Sequence, residues 1–253
     1  MDKDNVKQRL ARGDSVKCCM LSELSTPNLA RMFHSFGFDC LLIDCEHGYY
    51  DMTETANLIA AASGYDFPII IRVAQGCQHD TVKYLDMGAS GILLANVTSP
   101  AQAAELADLC LYAPDGDRGV STFRAHTNYN NGNTLEVMKK ANARNIVIAQ
   151  IESLEAVEKI EEITAVPGLD GILLGPNDFT QHIGAFGQYE HPIIEEAIHK
   201  MVLSAKKYGK WSGIITNNDK LLRRCRAAGM CFFSSGSELS MLASGAKTVM
   251  RQL

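Results

Sequence analysis

The chain has no C-x-x-C pair, no apolar run near the roughly 18 residues that a membrane helix needs, no low-complexity segment and no excess of positive charge. Each absence removes a class of protein. The eight cysteines stand at positions 18, 19, 40, 45, 77, 110, 225 and 231, and several of them fall inside apolar runs, so they read as small buried hydrophobes in a reducing compartment rather than as a disulfide framework. A net charge of −5 argues against a nucleic-acid or anionic-membrane surface. The opening Met1-Asp2-Lys3-Asp4-Asn5 is too polar for a signal peptide, and a cytoplasmic location is expected.

What is present is an α/β pattern. A chain of 253 residues with 46% hydrophobic and 21% charged residues can bury a large core and has the usual size of one (β/α)₈ barrel. Short apolar runs at 16–21, 40–43, 69–73, 92–95, 146–151, 172–174, 211–215 and 230–233 are strand candidates. Most are continuous rather than alternating, as parallel strands covered on both faces should be. Amphipathic stretches lie between them, such as 153–163, where Ala156, Val157, Ile160 and Ile163 share one helical face. Ser99-Pro100-Ala101-Gln102 supplies an N-cap, a first-turn proline and a capping-box glutamine, while Gly88 and Gly229 close helices. These features predict a single (β/α)₈ TIM barrel over residues 1–253. Residues 112–132, with Pro114, glycines and asparagines, predict a long loop over one end, of the kind that serves as a lid or an oligomer contact.

In such a barrel the active face is built from whatever follows each strand. Asp44-Cys45-Glu46-His47-Gly48 follows the second run, Arg72 closes the third, Gln150-Ile151-Glu152 ends the fifth, and Gly175-Pro176-Asn177-Asp178 follows the sixth. Thr216-Asn217-Asn218 and Ser234-Ser235 follow the last two. Glu152 and Asp178, at neighbouring strand ends, suit a hard Mg²⁺ or Mn²⁺ ion, although either acid also serves as a helix cap. Gln150 lies on the same side of its strand as Glu152. His47 is the best general acid/base candidate, because imidazole titrates near neutrality and its neighbours are acidic. Arg72 ends an apolar run, so its guanidinium either pairs with Asp44 or Glu46 or grips a carboxylate or developing oxyanion. Cys45 reads as a packing residue.

The ordered set Leu42-Ile43-Asp44-Cys45-Glu46-His47-Gly48, Ile71-Arg72-Val73, Asp115-Gly116-Asp117-Arg118-Gly119-Val120, Ala149-Gln150-Ile151-Glu152 and Asp170-Gly171-Ile172-Leu173-Leu174-Gly175-Pro176-Asn177-Asp178 resembles the HpcH/HpaI aldolases, metal-dependent class II pyruvate aldolases. The resemblance implies a barrel of the phosphoenolpyruvate/pyruvate type that cleaves a 4-hydroxy-2-oxo acid to pyruvate and an aldehyde. It implies that Glu152 and Asp178 hold Mg²⁺, Mn²⁺ or Co²⁺. Gln150, Gly175, Pro176 and Asn177 would then position pyruvate, Arg72 would stabilise its enolate, and His47, steered by Asp44, would move the proton. Asp86 matches an acidic position tied to the same proton chemistry across a subunit contact. A homo-oligomer follows by resemblance, a hexamer whose last helix packs on a neighbour. No lysine stands at a strand end to form a Schiff base, Lys17 being mid-run, which fits the metal route.

The resemblance is uneven. Leu94-Ala95-Asn96-Val97 lacks the family's usual proline, Ser121-Thr122-Phe123-Arg124-Ala125-His126 is not its usual loop, and Ser234-Ser235-Gly236-Ser237-Glu238-Leu239 is more polar than typical. These departures bear on the aldehyde half of the substrate. Two other readings are a citramalyl-CoA or malyl-CoA type lyase and a barrel that binds a 2-oxo acid without turnover. The absence of an added basic segment for coenzyme A weighs against the first, and the presence of a base against the second.

Overall fold

The computed structural model describes residues 5–130 and 132–253, so residues 1–4 and Asn131 of the 112–132 loop lie outside the described residues. Eight strands form in order: β1 Val16–Leu21, β2 Cys40–Asp44, β3 Ile69–Val73, β4 Gly91–Leu94, β5 Ile146–Ile151, β6 Gly171–Leu174, β7 Trp211–Ile215 and β8 Phe232–Ser237. All pair in parallel with their sequence neighbours, and β8 pairs with β1, which closes the barrel. The expected (β/α)₈ architecture is therefore what the chain adopts.

Helix α1 (Val6–Ala11) precedes the barrel. Around it run α2 (Asn28–Ser35), α3 (Met52–Ser63), α4 (Thr81–Asp86), α5 (Pro100–Cys110), α6 (Thr134–Arg144), α7 (Leu154–Glu158), α8 (Ile160–Ala165), α9 (Pro176–His182), α10 (Pro192–Lys207), α11 (Asp219–Ala228) and α12 (Glu238–Met250). Side chains alternate along each strand. One parity, including Cys18, Leu42, Ile70, Ile148, Leu173 and Phe232, fills the barrel interior; the other, including Leu41, Ile71, Val147 and Ile172, joins the helices in the outer core. All eight cysteines are free thiols, buried except for Cys45 and Cys77. Among the described residues no helix is long and apolar enough to cross a membrane.

The structure departs from expectation in detail. The last strand runs from Phe232 through Ser237, past the apolar residues, because backbone pairing with β1 continues as far as Met20 opposite Ser237, across a register shift at the left-handed Gly236 (φ 81°). The 153–163 helix is two short helices that meet at Lys159. Ser99 caps α5 as expected, accepting from the Gln102 N–H, but the Gln102 side chain reaches the Thr98 N–H rather than that of Ser99. Gly229 (φ 107°) ends α11 in the left-handed conformation. The 112–132 loop follows α5 and leads into α6, whose carboxyl end returns the chain to the start of β5.

Trp211 and Phe232 stack in the barrel interior with ring centroids 5.5 Å apart and planes 21° from parallel. Phe232→Ala should lower stability by about 3–5 kcal/mol, because the closed interior cannot collapse onto the cavity. The shift is measurable as a lower urea midpoint followed by the fluorescence of Trp211, the single tryptophan. An unchanged midpoint would contradict this packing.

Candidate active site

Strand parity places the chemistry. On β2 Cys40 and Leu42 face inward, so Asp44 does too; on β3 Ile70 is followed by Arg72, and on β5 Ile146 and Ile148 by Gln150. These polar side chains form the top layer of the interior, at the carboxyl ends of the strands, and all three are buried.

The β2–β3 register sets Asp44 opposite Arg72. The guanidinium donates from Nε to Asp44 Oδ1 at 2.9 Å and from Nη2 to Oδ2 at 2.6 Å, and Nε lies 3.4 Å from Glu46 Oε2. Burial alone would raise the Asp44 carboxyl. The hydrogen bonds and charge of Arg72, with the N–H groups of His47 and Glu46, outweigh it and hold Asp44 below the usual carboxylate range. One edge of Arg72 is thus committed to a structural pair, and any oxyanion meets what remains of the fork.

His47 sits at the mouth, its side chain 69% exposed, with Nε2 3.9 Å from Glu46 Oε2. Asp44 reaches His47 through the backbone N–H, at 3.2 Å, so it shapes the loop; the carboxylate near the imidazole is Glu46. Burial raises Glu46 above its ordinary value, against the pull of Arg72.

Glu152, 4% exposed, stands just past β5. Its Oε1 accepts from Gln150 Nε2 at 2.7 Å, and its Oε2 from the Asn96 N–H at 2.9 Å. Asp178 lies in the first turn of α9, which opens after Gly175 donates its N–H to Ile151 O at 3.0 Å. Burial, then the charge of Asp178, pushes Glu152 up to about 8, with Glu46 adding and the Asn96 N–H and Arg72 subtracting. A Cβ at Gly175 would collide with Glu152 Oε1 and Gln150 Nε2, so only glycine leaves room for this packing. Gln150 Oε1 is buried without a hydrogen-bond partner. Two carboxylates whose charges interact, an unpartnered carbonyl oxygen bonded to neither and a turn stripped of its side chain fit a hard divalent ion. Among the described residues no three His, Cys, Asp or Glu side chains group as a metal cage; two carboxylates leave positions for water or substrate oxygens, as Mg²⁺ and Mn²⁺ commonly do.

Other candidates lie apart from this cluster. Asn177 is exposed and its Oδ1 accepts from Tyr189 Oη at 2.6 Å. Asp86 ends α4, on the approach to β4 and hence at the opposite end of the barrel, where Arg118 Nη2 donates to it at 2.6 Å and His126 Nδ1 lies 3.9 Å away. The polar residues after β7 serve local structure: Asn218 caps α11, Thr216 Oγ1 accepts from the Asn218 N–H, and Asn217 accepts from the Gly236 N–H. Sequence reasoning missed Asn96 as part of the site. Its left-handed backbone (φ 48°) aims an N–H at Glu152, and asparagine's tolerance of that conformation is the one signal available.

The chain is 32% identical over 250 residues to a hydroxypyruvate/pyruvate aldolase of Roseobacter denitrificans, covering 96% of this chain and 94% of the relative. It is 31% identical to a 5-keto-4-deoxy-D-glucarate aldolase of Klebsiella pneumoniae, covering 90% and 86%. The crystal structure of an HpcH/HpaI aldolase from Desulfitobacterium hafniense superposes with a TM-score of 0.91 at 30% identity, over 98% of this chain and 96% of that one. A family pattern matches residues 17–245, a span that contains all but the first residue of the eight strands and every rim residue described above, and by it the chain belongs to the HpcH/HpaI aldolase/citrate lyase family.

Proposed function

We propose that this protein is a divalent-metal-dependent pyruvate aldolase that cleaves a 4-hydroxy-2-oxo acid to pyruvate and an aldehyde. The observation that carries the reading is the shared rim: the Asp44–Arg72 pair, the unpartnered Gln150 Oε1, and Glu152 with Asp178 stand at the carboxyl ends of β2, β3, β5 and β6 of one barrel. The aldolase names of the relatives support the same reaction class.

Glu152 and Asp178 would hold Mg²⁺, Mn²⁺ or Co²⁺, whose charge offsets the negative charge that develops on the 2-oxo oxygen. Gln150 and the backbone at Gly175 and Pro176 orient the pyruvate half, and Asn177 borders the same turn. Arg72, fixed by Asp44, sets a positive charge beside the oxyanion. His47 takes the proton of the 4-hydroxyl as the C3–C4 bond breaks. The bond pair passes into the enolate of pyruvate, C4 leaves as the aldehyde carbonyl, and a proton returned to C3 completes pyruvate. Asp86, at the far end of its own barrel, serves this proton transfer across a contact between copies. The face of α12 that exposes Met241, Leu242, Val249 and Met250 supports such an assembly.

Three outcomes are expected. First, pyruvate release from a panel of 4-hydroxy-2-oxo acids should stop with EDTA and return with Mn²⁺, and Glu152→Ala should lose Mn²⁺ binding while its circular dichroism spectrum is unchanged. Release indifferent to EDTA would sink the reading. Second, Mn²⁺ competes with the proton that Glu152 retains below about pH 8, so titration calorimetry should show affinity falling by up to about tenfold per unit as pH drops below that value. The same raised carboxyl makes the metal-free protein lose stability as pH rises from the ordinary carboxylate range to about 8, because there the folded state keeps a proton the unfolded chain has released. Third, light scattering should give a mass above the 27.6 kDa of one chain, and the double substitution Leu242→Glu and Met250→Glu should reduce it.

A further inference from the structure

A buried carboxylate next to the rim takes no part in the chemistry above. Glu238, the first residue of α12, is 3% exposed. Its Oε1 accepts three consecutive backbone N–H groups of the loop after β1, from Ser22 at 2.7 Å, Glu23 at 2.7 Å and Leu24 at 3.2 Å. Its Oε2 is buried without a hydrogen-bond partner. β1 ends at Leu21, so these N–H groups have run out of strand partners, and a carboxylate at their focus fixes the loop.

That loop is in turn bonded to the segment carrying His47. Ser22 O accepts the Tyr49 N–H at 3.1 Å, and Leu24 O accepts the Tyr50 hydroxyl at 2.8 Å. Gly48 passes so close to Ser22 O and Asp44 O that a Cβ would overlap both. The other end of the segment is held where Asp44 Oδ1 accepts the N–H groups of Glu46 and His47, at 3.1 and 3.2 Å. His47 is exposed and few side-chain contacts hold it, so its position is set by these two anchors. The first anchor is the Asp44–Arg72 pair. The second leads through residues 22–24 to Glu238.

We propose that Glu238 is a positioning residue for His47, acting through the loop after β1. The proposal rests on the aldolase reading for its catalytic arm. If Glu238 merely strengthened the seam between β1 and β8, its loss would reduce the folded fraction without altering turnover per folded molecule.

The test compares Glu238→Ala, Glu238→Gln and wild type as full chains with Mn²⁺. In Glu238→Ala, hydrogen–deuterium exchange should accelerate at residues 22–24 and at Tyr49 while β2 to β7 stay protected. The kcat for pyruvate release, per folded molecule, should fall by about 10- to 100-fold, the scale on which small misplacements of a catalytic group act. Mn²⁺ affinity should be unchanged, and Glu238→Gln, which keeps an acceptor oxygen, should restore most of the rate. Unchanged exchange at Tyr49, or faster exchange with unchanged kcat, would overturn the proposal. Should Glu238→Ala not fold, Tyr50→Phe cuts one of the two links and should lower kcat several-fold at constant Mn²⁺ affinity; an unaltered kcat would overturn the proposal equally. If wild type releases no pyruvate from any substrate, the aldolase reading fails, and exchange at Tyr49 alone then decides whether Glu238 controls the loop.

Discussion

The ion pair between Asp44 and Arg72 is the interaction on which the rim depends. Two charges taken into a barrel interior are tolerable only while paired, and removing one partner of such a pair typically costs about 3–5 kcal/mol. The pairing requires that β2 and β3 run in a register that sets these residues side by side. A slip of one residue would turn one of the two out of the interior. Register, usually a matter of core packing, is here also what fixes the arginine. The same carboxylate gathers the N–H groups of residues 46 and 47, so strand pairing is carried directly into the shape of the loop above it.

Most of the barrel was legible because parallel strands covered on both faces write themselves as continuous apolar runs. Ile69–Val73 and Ile146–Ile151 are of this kind, and their predicted and observed limits coincide. β8 was harder. Its last four residues, Ser234 to Ser237, carry no hydrophobic signal, and they are strand because the backbone of β1 offers partners. The break at Lys159 between α7 and α8 has no proline or glycine to announce it, and the shared apolar face of residues 156–163 reads as one helix.

Within the site, legibility followed chemistry carried by side chains. Asp44, Arg72, Glu152 and Asp178 declare themselves as charges at the ends of apolar runs. Contributions made by backbone or across space leave almost no trace: the Asn96 N–H on Glu152, the Tyr189 hydroxyl on Asn177, the convergence of residues 22–24 on Glu238. Asp86 shows the converse. It is singled out by the resemblance alone, and the topology puts it at the other end of its own barrel with Arg118 and His126, a separation visible only once the strands are counted around the ring.

The closeness of Glu152 and Asp178 carries a consequence for the molecule as a whole. Burying Glu152 and setting it near Asp178 disfavours its charged form in the folded state, a cost that the unfolded chain does not share. On the proposed reading, a cation that binds the charged form of the site also deepens the native well, by about 2.7 kcal/mol when its concentration is a hundred times its dissociation constant. The barrel then acts as a gauge of its ionic surroundings. Cation scarcity would lower the persistence of the folded protein together with its turnover, so supply of the ion would govern how much protein survives as well as how fast each molecule works.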